Sequence, residues 1–348
     1  MNTDRRFPVR LDLQHGTVDM SHGAGGRAMA QLIAEVFQAH LDNDLLRQGN
    51  DQALFTPPPG RLVISTDGHV VAPLFFPGGD IGCLSVHGTI NDVAMAGARP
   101  LYLAAGFILE EGYPLKDLVR IVQSMAAAAT AAGVPVVTGD TKVVERGKGD
   151  GVFITTTGVG VVPEGVTLSG DQARPGDAIL VSGTLGDHGV AILSKRENLG
   201  FEVAIRSDTA ALHTLVAAMV AAVPDLHCLR DPTRGGLATT LNELAHQSGV
   251  GMRISESAIP IRPEVSAACE LLGLDPLYVA NEGKLIAICP AERAADLLTV
   301  MRAHPLGTAA SRIGEVVADP HRFVQMETRF GGSRIVDWLA GEQLPRIC

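Results

Sequence analysis

Strand-type and helix-type segments follow one another irregularly along this chain, and that irregularity limits its fold more than any other feature. Short runs rich in β-branched residues at 62–66, 101–109, 134–138, 152–162, 178–182 and 284–289 read as strands. Apolar residues at helical spacing mark 27–40 (Met29, Ile33, Val36, Phe37), and small-residue helices are expected at 84–98, 115–132, 209–223 and 236–248. A doubly wound sheet would alternate the two kinds regularly, so the pattern predicts α+β architecture instead. The polar stretch 165–176, with its Gly, Ser and Pro, divides the chain. The expected units are 1–165, 166–330 and a flexible tail, 331–348. A length of 348 residues is comfortable for two domains, and 39 glycines suit close backbone approach.

The last residue is Cys348. A terminal thiol sits where chains are usually mobile and can be carried into another protein's pocket. Gly331-Gly332-Ser333 is expected to act as its joint, and Pro345 to keep the last residues extended. The other cysteines, Cys83, Cys228, Cys269 and Cys289, lie in apolar or mixed stretches and read as small core residues. Five cysteines without a C-x-x-C pair suit a reducing cytoplasm rather than a disulfide framework or zinc site. A net charge of −10 argues against nucleic acid or anionic membrane as the partner. No apolar run approaches the ~18 residues needed to span a bilayer, and the first sixteen residues lack a signal-peptide core.

Four short motifs share one grammar: a strand or turn ends and an acidic or amide side chain stands beside it. They are Ser65-Thr66-Asp67-Gly68, Gly79-Asp80-Ile81-Gly82, Asn91-Asp92 and Gly139-Asp140-Thr141-Lys142. Asp67, Asp80, Asp92 and Asp140 offer hard oxygen ligands of the kind Mg²⁺ takes when it holds a polyphosphate. Glycines beside them, and Gly23, Gly25 and Gly26 in the N-terminal loop, let backbone N–H groups approach phosphate oxygens. Lys142 can serve as a point charge on those phosphates. Neither G-x-x-x-x-G-K-[ST] nor a strand-framed G-x-G-x-x-G is present. In the second half, Asp231-Pro232-Thr233-Arg234-Gly235-Gly236 either caps a helix or brings Asp231 or Arg234 toward the phosphates. Glu282, in Asn281-Glu282-Gly283, is either a turn residue or a general base.

Taken in order, these residues resemble the ATP-binding superfamily of aminoimidazole ribonucleotide synthetase, selenophosphate synthetase and thiamine-monophosphate kinase, and within it the hydrogenase-maturation branch. The most specific elements are Phe76-Pro77-Gly78-Gly79-Asp80-Ile81-Gly82, Gly139-Asp140-Thr141-Lys142-Val143-Val144, Asp231–Gly236, Asn281–Gly283 and the terminal Pro345-Arg346-Ile347-Cys348. The resemblance implies a two-domain α+β chain that forms a homodimer through its N-terminal domains, with ATP near the interface bound by Gly23, Gly25, Gly26, Asp67, Asp80, Asn91, Asp92, Asp140 and Lys142. It implies that the carbamoyltransferase HypF loads a carbamoyl group onto Cys348, that ATP-dependent dehydration makes a thiocyanate, and that the cyano group goes to iron held by the HypC–HypD complex. A selenophosphate synthetase would carry a reactive cysteine in the Gly-rich loop, and here no cysteine precedes Cys83.

The residues suit that chemistry independently. An amide oxygen is a poor leaving group, so loss of water from –S–C(O)–NH₂ requires its phosphorylation. That step needs metal-bound carboxylates, a cation on the phosphoryl group and a base near the nitrogen. Asp67, Asp80, Asp92 and Asp140 are expected in the first role, Lys142 in the second and Glu282 in the third. Cys348 is the carrier of the substrate.

Overall fold

A computed structural model describes residues 7–199, 205–341 and 346–348. The α+β expectation holds, with one antiparallel-rich sheet in each half. Leu344 and Pro345, whose extended conformation the sequence suggests, lie outside the described residues, as does the very start of the chain.

The first half opens with a helix that runs from α1 (Arg27–Leu32) through a π-helical stretch, Ile33–Gln38, into α2 (Ala39–Leu41). Its sheet contains β1 (Arg61–His69), β4 (Arg99–Glu110), β5 (Val136–Val144) and β6 (Val152–Val162), in the order β1-β6-β4-β5. A two-residue ladder, β2 (Phe75–Phe76) with β3 (Gly79–Asp80), leads into α3 (Ile81–Met95), and α4 (Leu115–Ala132) lies beside it. One face of the sheet is covered by α3. On that face Thr156 is fully buried and donates to the Ser85 carbonyl at 2.9 Å. The opposite face is open, and Leu62 and Ile64 on it are 61% and 70% exposed.

The second half builds a seven-stranded sheet, ordered β13-β12-β9-β11-β7-β10-β8. Its strands are β7 (Ala178–Val181), β8 (Cys228–Arg230), β9 (Gly251–Ser255), β10 (Ile286–Cys289), β11 (Ser311–Val317), β12 (Val324–Glu327) and β13 (Ser333–Ile335). The helices are α5 (Asp187–Arg196), α6 (His213–Ala222), α7 (Gly236–Ser248), α8 (Pro263–Leu272) and α9 (Ala294–Ala303). Gly331 and Gly332, expected to be the joint of a free tail, instead form the tip of the β12–β13 hairpin. The Thr328 amide donates to the Gly332 carbonyl at 2.8 Å, and Gly331 takes the φ of +83° that its turn demands. Val336 is buried behind that hairpin, so the packed C-terminal unit continues past 330.

The helix α3 joins the halves because two of its stripes are used. Ser85, Gly88, Thr89 and Asp92 recur at helical spacing toward β1 and β6. His87, Asn91 and Ala94 recur on the side facing the second domain, where Ala94 enters the cluster of Leu212, Val216 and Met219. Its polar side chains find partners on both stripes, and the helix is buried on nearly all sides.

Candidate active site

The chain's end is seated inside the molecule. Ile347 is 3% exposed and belongs to the first domain's core. It pairs with Val71 as an isolated antiparallel bridge, with Val70 N–H donating to the Cys348 carbonyl at 2.8 Å and Ala72 N–H to that of Arg346 at 3.1 Å. The Cys348 thiol thereby comes beside Glu282. Burial pushes its pKa far up, the Glu282 carboxyl adds to that, and Arg234 opposes it.

Glu282 is itself 4% exposed. Three contacts fix it: its amide donates to Asp208 Oδ1 at 3.0 Å, its carbonyl accepts from Asn91 Nδ2 at 3.2 Å, and Asn281 pins the preceding turn. Only glycine fits next in sequence, since a Cβ at Gly283 would lie 1.9 Å from the Asp208 carbonyl oxygen. Burial first, then the charges of Asp208, Asp231, Asp67 and Asp92, hold the Glu282 carboxyl well above the ordinary carboxylate range. Among the described residues its Oε1 is buried without a hydrogen-bond partner. A buried unpaired acceptor is costly, so this atom is a place for an N–H that the chain itself does not supply.

Asp67, Asp92 and Asp231 surround that carboxyl. Ser65 Oγ donates to Asp92 Oδ2 at 2.8 Å, and Gly88 leaves room for the Asp67 carboxylate against α3. Burial raises Asp92, with Asp67 adding to it. Asp231 is pushed up to about 7, first by burial and then by Asp92. Behind them Lys284 pairs with Asp208 at 3.2 Å.

The remaining expected residues stand elsewhere. Asp80 does not join Asp67 and Asp92. Its Oδ1 accepts from the amides of Gly82 (2.8 Å) and Cys83 (3.2 Å), capping α3, and its charged neighbour is Arg120. Asn91 is fully committed: besides the Glu282 carbonyl it donates to Ala210 O at 3.0 Å and accepts from Leu212 N–H at 2.8 Å. It therefore ties the domains together. Asp140 and Lys142 pair with each other at 2.6 Å, both well exposed.

Strand register explains that separation. Asp67, Thr156, Ala105 and Gly139 form one row across the sheet, and the neighbouring row is Gly68, Thr155, Gly106 and Asp140. Asp67 is thus on the helix-covered face of one edge strand, and Asp140 and Lys142 on the open face of the other. Three strand spacings, about 14 Å, lie between those edges. Asp67, Asp80, Asp92 and Asp140, the expected Mg²⁺ ligands, are therefore not gathered in one place within the chain: Asp67 and Asp92 stand together, and Asp80 and Asp140 stand apart from them. Among the described residues no group of three or more His, Cys, Asp or Glu is gathered as a metal site.

Asp140 and Lys142 do stand near the Gly-rich loop. The Gly23 backbone packs so closely on β5 that a Cβ there would be 2.9 Å from Val143 N, while Gly25 and Gly26 face open space. An apolar cleft lined by Met29, Ile33, Phe37, Leu41 and Phe107 opens beside Asp140. Two further features, the buried pair Asp208–Lys284 and His188, carry no local signal in the sequence, since no catalytic or metal motif frames them.

Comparison with known proteins adds to this geometry. Residues 49–162 match the family model "AIR synthase related protein, N-terminal domain", and 174–327 match its C-terminal domain. A relative from Azotobacter vinelandii named carbamoyl dehydratase HypE is 76% identical over 97% of this chain and 99% of its own length. A crystal structure of the hydrogenase maturation protein HypE in complex with ATP superposes with a TM-score of 0.92 at 53% identity, covering 94% of this chain and 99% of that one. A HypE–HypF complex superposes at 0.78 with 48% identity, covering 88% of this chain and 99% of that one.

Proposed function

The chain belongs to the AIR synthase related family and, within it, to the carbamoyl dehydratases named HypE, and from that membership we propose that it dehydrates an S-carbamoyl group on its own Cys348 to S-cyanocysteine, using ATP. The observation that carries this reading is the thiol seated beside the unpaired Oε1 of Glu282.

A carbamoyl group on Cys348 would put its NH₂ next to Glu282. The carbamoyl oxygen attacks the γ-phosphorus of ATP, and ADP leaves. Glu282 takes a proton from the nitrogen, the C–O bond breaks with departure of phosphate, and loss of the second N–H proton leaves S–C≡N. ATP and the carbamoyl group thus become ADP, phosphate and the cyano group in balance, with the carbamoyl oxygen carried off in the phosphate and no water consumed.

Magnesium fits the donor set in part. Asp67 and Asp92 are neighbouring hard-oxygen ligands, and one or two carboxylates plus phosphates and water are what this ion usually takes. When bound there by Asp67 and Asp92, Mg²⁺ would neutralise phosphate charge and screen the charges that hold Glu282 protonated. Asp80, engaged as a helix cap, is left out of this assignment.

Lys142 and Asp140 enter from a second copy in this reading. They share the open sheet face with the exposed Leu62, Ile64 and Ile108, an apolar surface suited to a homodimer. A dimer built on that face sets the phosphates between copies, with Gly23, Gly25, Gly26 and the neighbouring apolar cleft holding the nucleotide. HypF, found with a HypE in the superposed complex, would load Cys348, and the HypC–HypD complex would receive the cyano group on its iron. No helix among the described residues is long and apolar enough to cross a membrane, and all five cysteines are free, which supports a reducing cytoplasm as its location.

Intact-mass measurement tests this. After incubation with the carbamoyltransferase, the protein should gain one carbamoyl group at Cys348 and lose one water only when Mg-ATP is added. Retention of the water with ATP present rejects the dehydratase reading.

A further inference from the structure

The three described residues of the tail have no carbonyl left unpaired: the Val70 and Ala72 amides take those of Cys348 and Arg346, and two side chains of α5 complete the set. The Arg196 guanidinium donates through Nε to Ala72 O and through Nη2 to Arg346 O, each at 2.8 Å, bridging the tail to the segment after β1 that it pairs with. His188, fully buried at the start of the same helix, has Nε2 2.8 Å from the Ile347 carbonyl. Its other nitrogen, Nδ1, lies 2.7 Å from Ser207 Oγ.

The proton positions in that chain follow from the partners. The Ile347 carbonyl can only accept, so the ring proton stands on Nε2 and the bare Nδ1 accepts from the Ser207 hydroxyl, whose oxygen also takes the Thr209 amide at 3.1 Å. Burial lowers the His188 pKa and keeps the ring in that neutral form. Ile347 is 3% exposed, so without this donor its carbonyl would be buried and unsatisfied, which opposes docking of the tail. Phe76 holds the ring edge-on, with centroids 5.6 Å apart.

We propose that His188, oriented by Ser207, and Arg196 form a seat for the chain's end and act as positioning residues that set how much of the time the Cys348 thiol spends beside Glu282. The seat rests on the dehydratase reading for its purpose but not for its geometry. Loss of a donor should release the tail without touching the nucleotide or the carboxylates.

The test uses the full-length protein. In the unloaded state, alkylation of Cys348 by iodoacetamide is followed by mass analysis of the C-terminal peptide, because the docked thiol is protonated and shielded. His188→Ala and Arg196→Ala should each raise that rate by roughly tenfold, the factor expected for about one lost hydrogen bond. Both should accept the carbamoyl group at the wild-type rate or faster, bind Mg-ATP as the wild type does, and lose water more slowly in a single turnover. His188→Gln, whose amide can reach the Ile347 carbonyl, should recover most of the difference. Alkylation at the wild-type rate in both alanine variants overturns the proposal, as does a slowed dehydration accompanied by lost ATP affinity. Arg196 lies half-exposed near the end of α5, so its variant decides the matter if His188→Ala does not fold. Failure of loaded wild-type protein to lose water would reject the dehydratase reading while the alkylation rates still judge the seat.

Discussion

At the scale of single residues, the site depends on charge that the fold has made costly. Glu282 is a base only when ionised, yet burial and four nearby aspartates hold its proton on. Single-turnover dehydration should therefore fall off on the acid side at a pH well above the ordinary carboxylate value of 4.5. Glu282→Gln should bind ATP and accept the carbamoyl group but lose roughly 10²–10⁴-fold in rate, with that acid limb gone. A rate profile that is unchanged in the variant removes Glu282 from the chemistry. The docked thiol has the opposite problem. Raised far above its usual pKa, it is a poor nucleophile where it rests, so the proposed reaction would load it with the tail outside. Cys348 and Glu282 were legible in the sequence because a terminal thiol and an Asn-Glu-Gly turn are local features. His188 was not, because its role is created by a carbonyl 159 positions away.

At the scale of elements, the same short sequence can serve two ends. Gly79-Asp80-Ile81-Gly82 suits a metal ligand and a helix cap equally well on paper, and in the structure the cap uses the carboxylate. The two roles separate experimentally. Asp80→Asn keeps an amide oxygen able to cap, so chemical denaturation should show little change, whereas Asp80→Ala should cost about 1 kcal/mol. Neither should alter Mg-ATP affinity measured by calorimetry, and a large loss in the Asn variant would return Asp80 to the phosphates. Gly331-Gly332 shows the same ambiguity: its composition suits a hinge, but pairing of β12 with β13 makes it a hairpin tip. In α3, Gly88→Ala would press a methyl group to 3.2 Å from Asp67 Oδ2 and should weaken nucleotide binding more than folding. Calorimetry and thermal melting of that variant measure the two effects.

At the scale of the whole molecule, the sequence revealed the two α+β units but not how their motifs meet. Lys142 and Asp67 are separated by strand pairings that join residues some ninety positions apart, such as Asp67 with Thr156, and no local pattern encodes that order. If Lys142 acts across a dimer, neither Lys142→Ala nor Glu282→Gln alone should turn over. A re-equilibrated equal mixture should then recover about a quarter of wild-type activity, because half the dimers would hold one intact site. No recovery would place both residues in one chain's site. The raised carboxyls also make a prediction for the free protein. Asp231 titrates near 7 when folded against an ordinary 3.8, so the native state holds more protons than the unfolded one between those values. Stability should fall as pH rises through that window and level off above it, with Asp231→Asn flattening the fall in thermal melts.

Asn91 bears on how fast the molecule can work. Its side chain grips the second domain through three backbone groups, and α3 is buried between the halves, so opening the cleft like a hinge would first have to break that grip. What can leave without parting the domains is the short run at the chain's end, held by burial of Ile347 and by a handful of hydrogen bonds to residues 70–72 and α5. The shuttle is then a loop motion, expected on the nanosecond-to-microsecond scale once those bonds part, and not a millisecond domain closure. Turnover in such a protein would be paced by meetings with its partners and by the phosphoryl step, with the swing of the tail never the slow event.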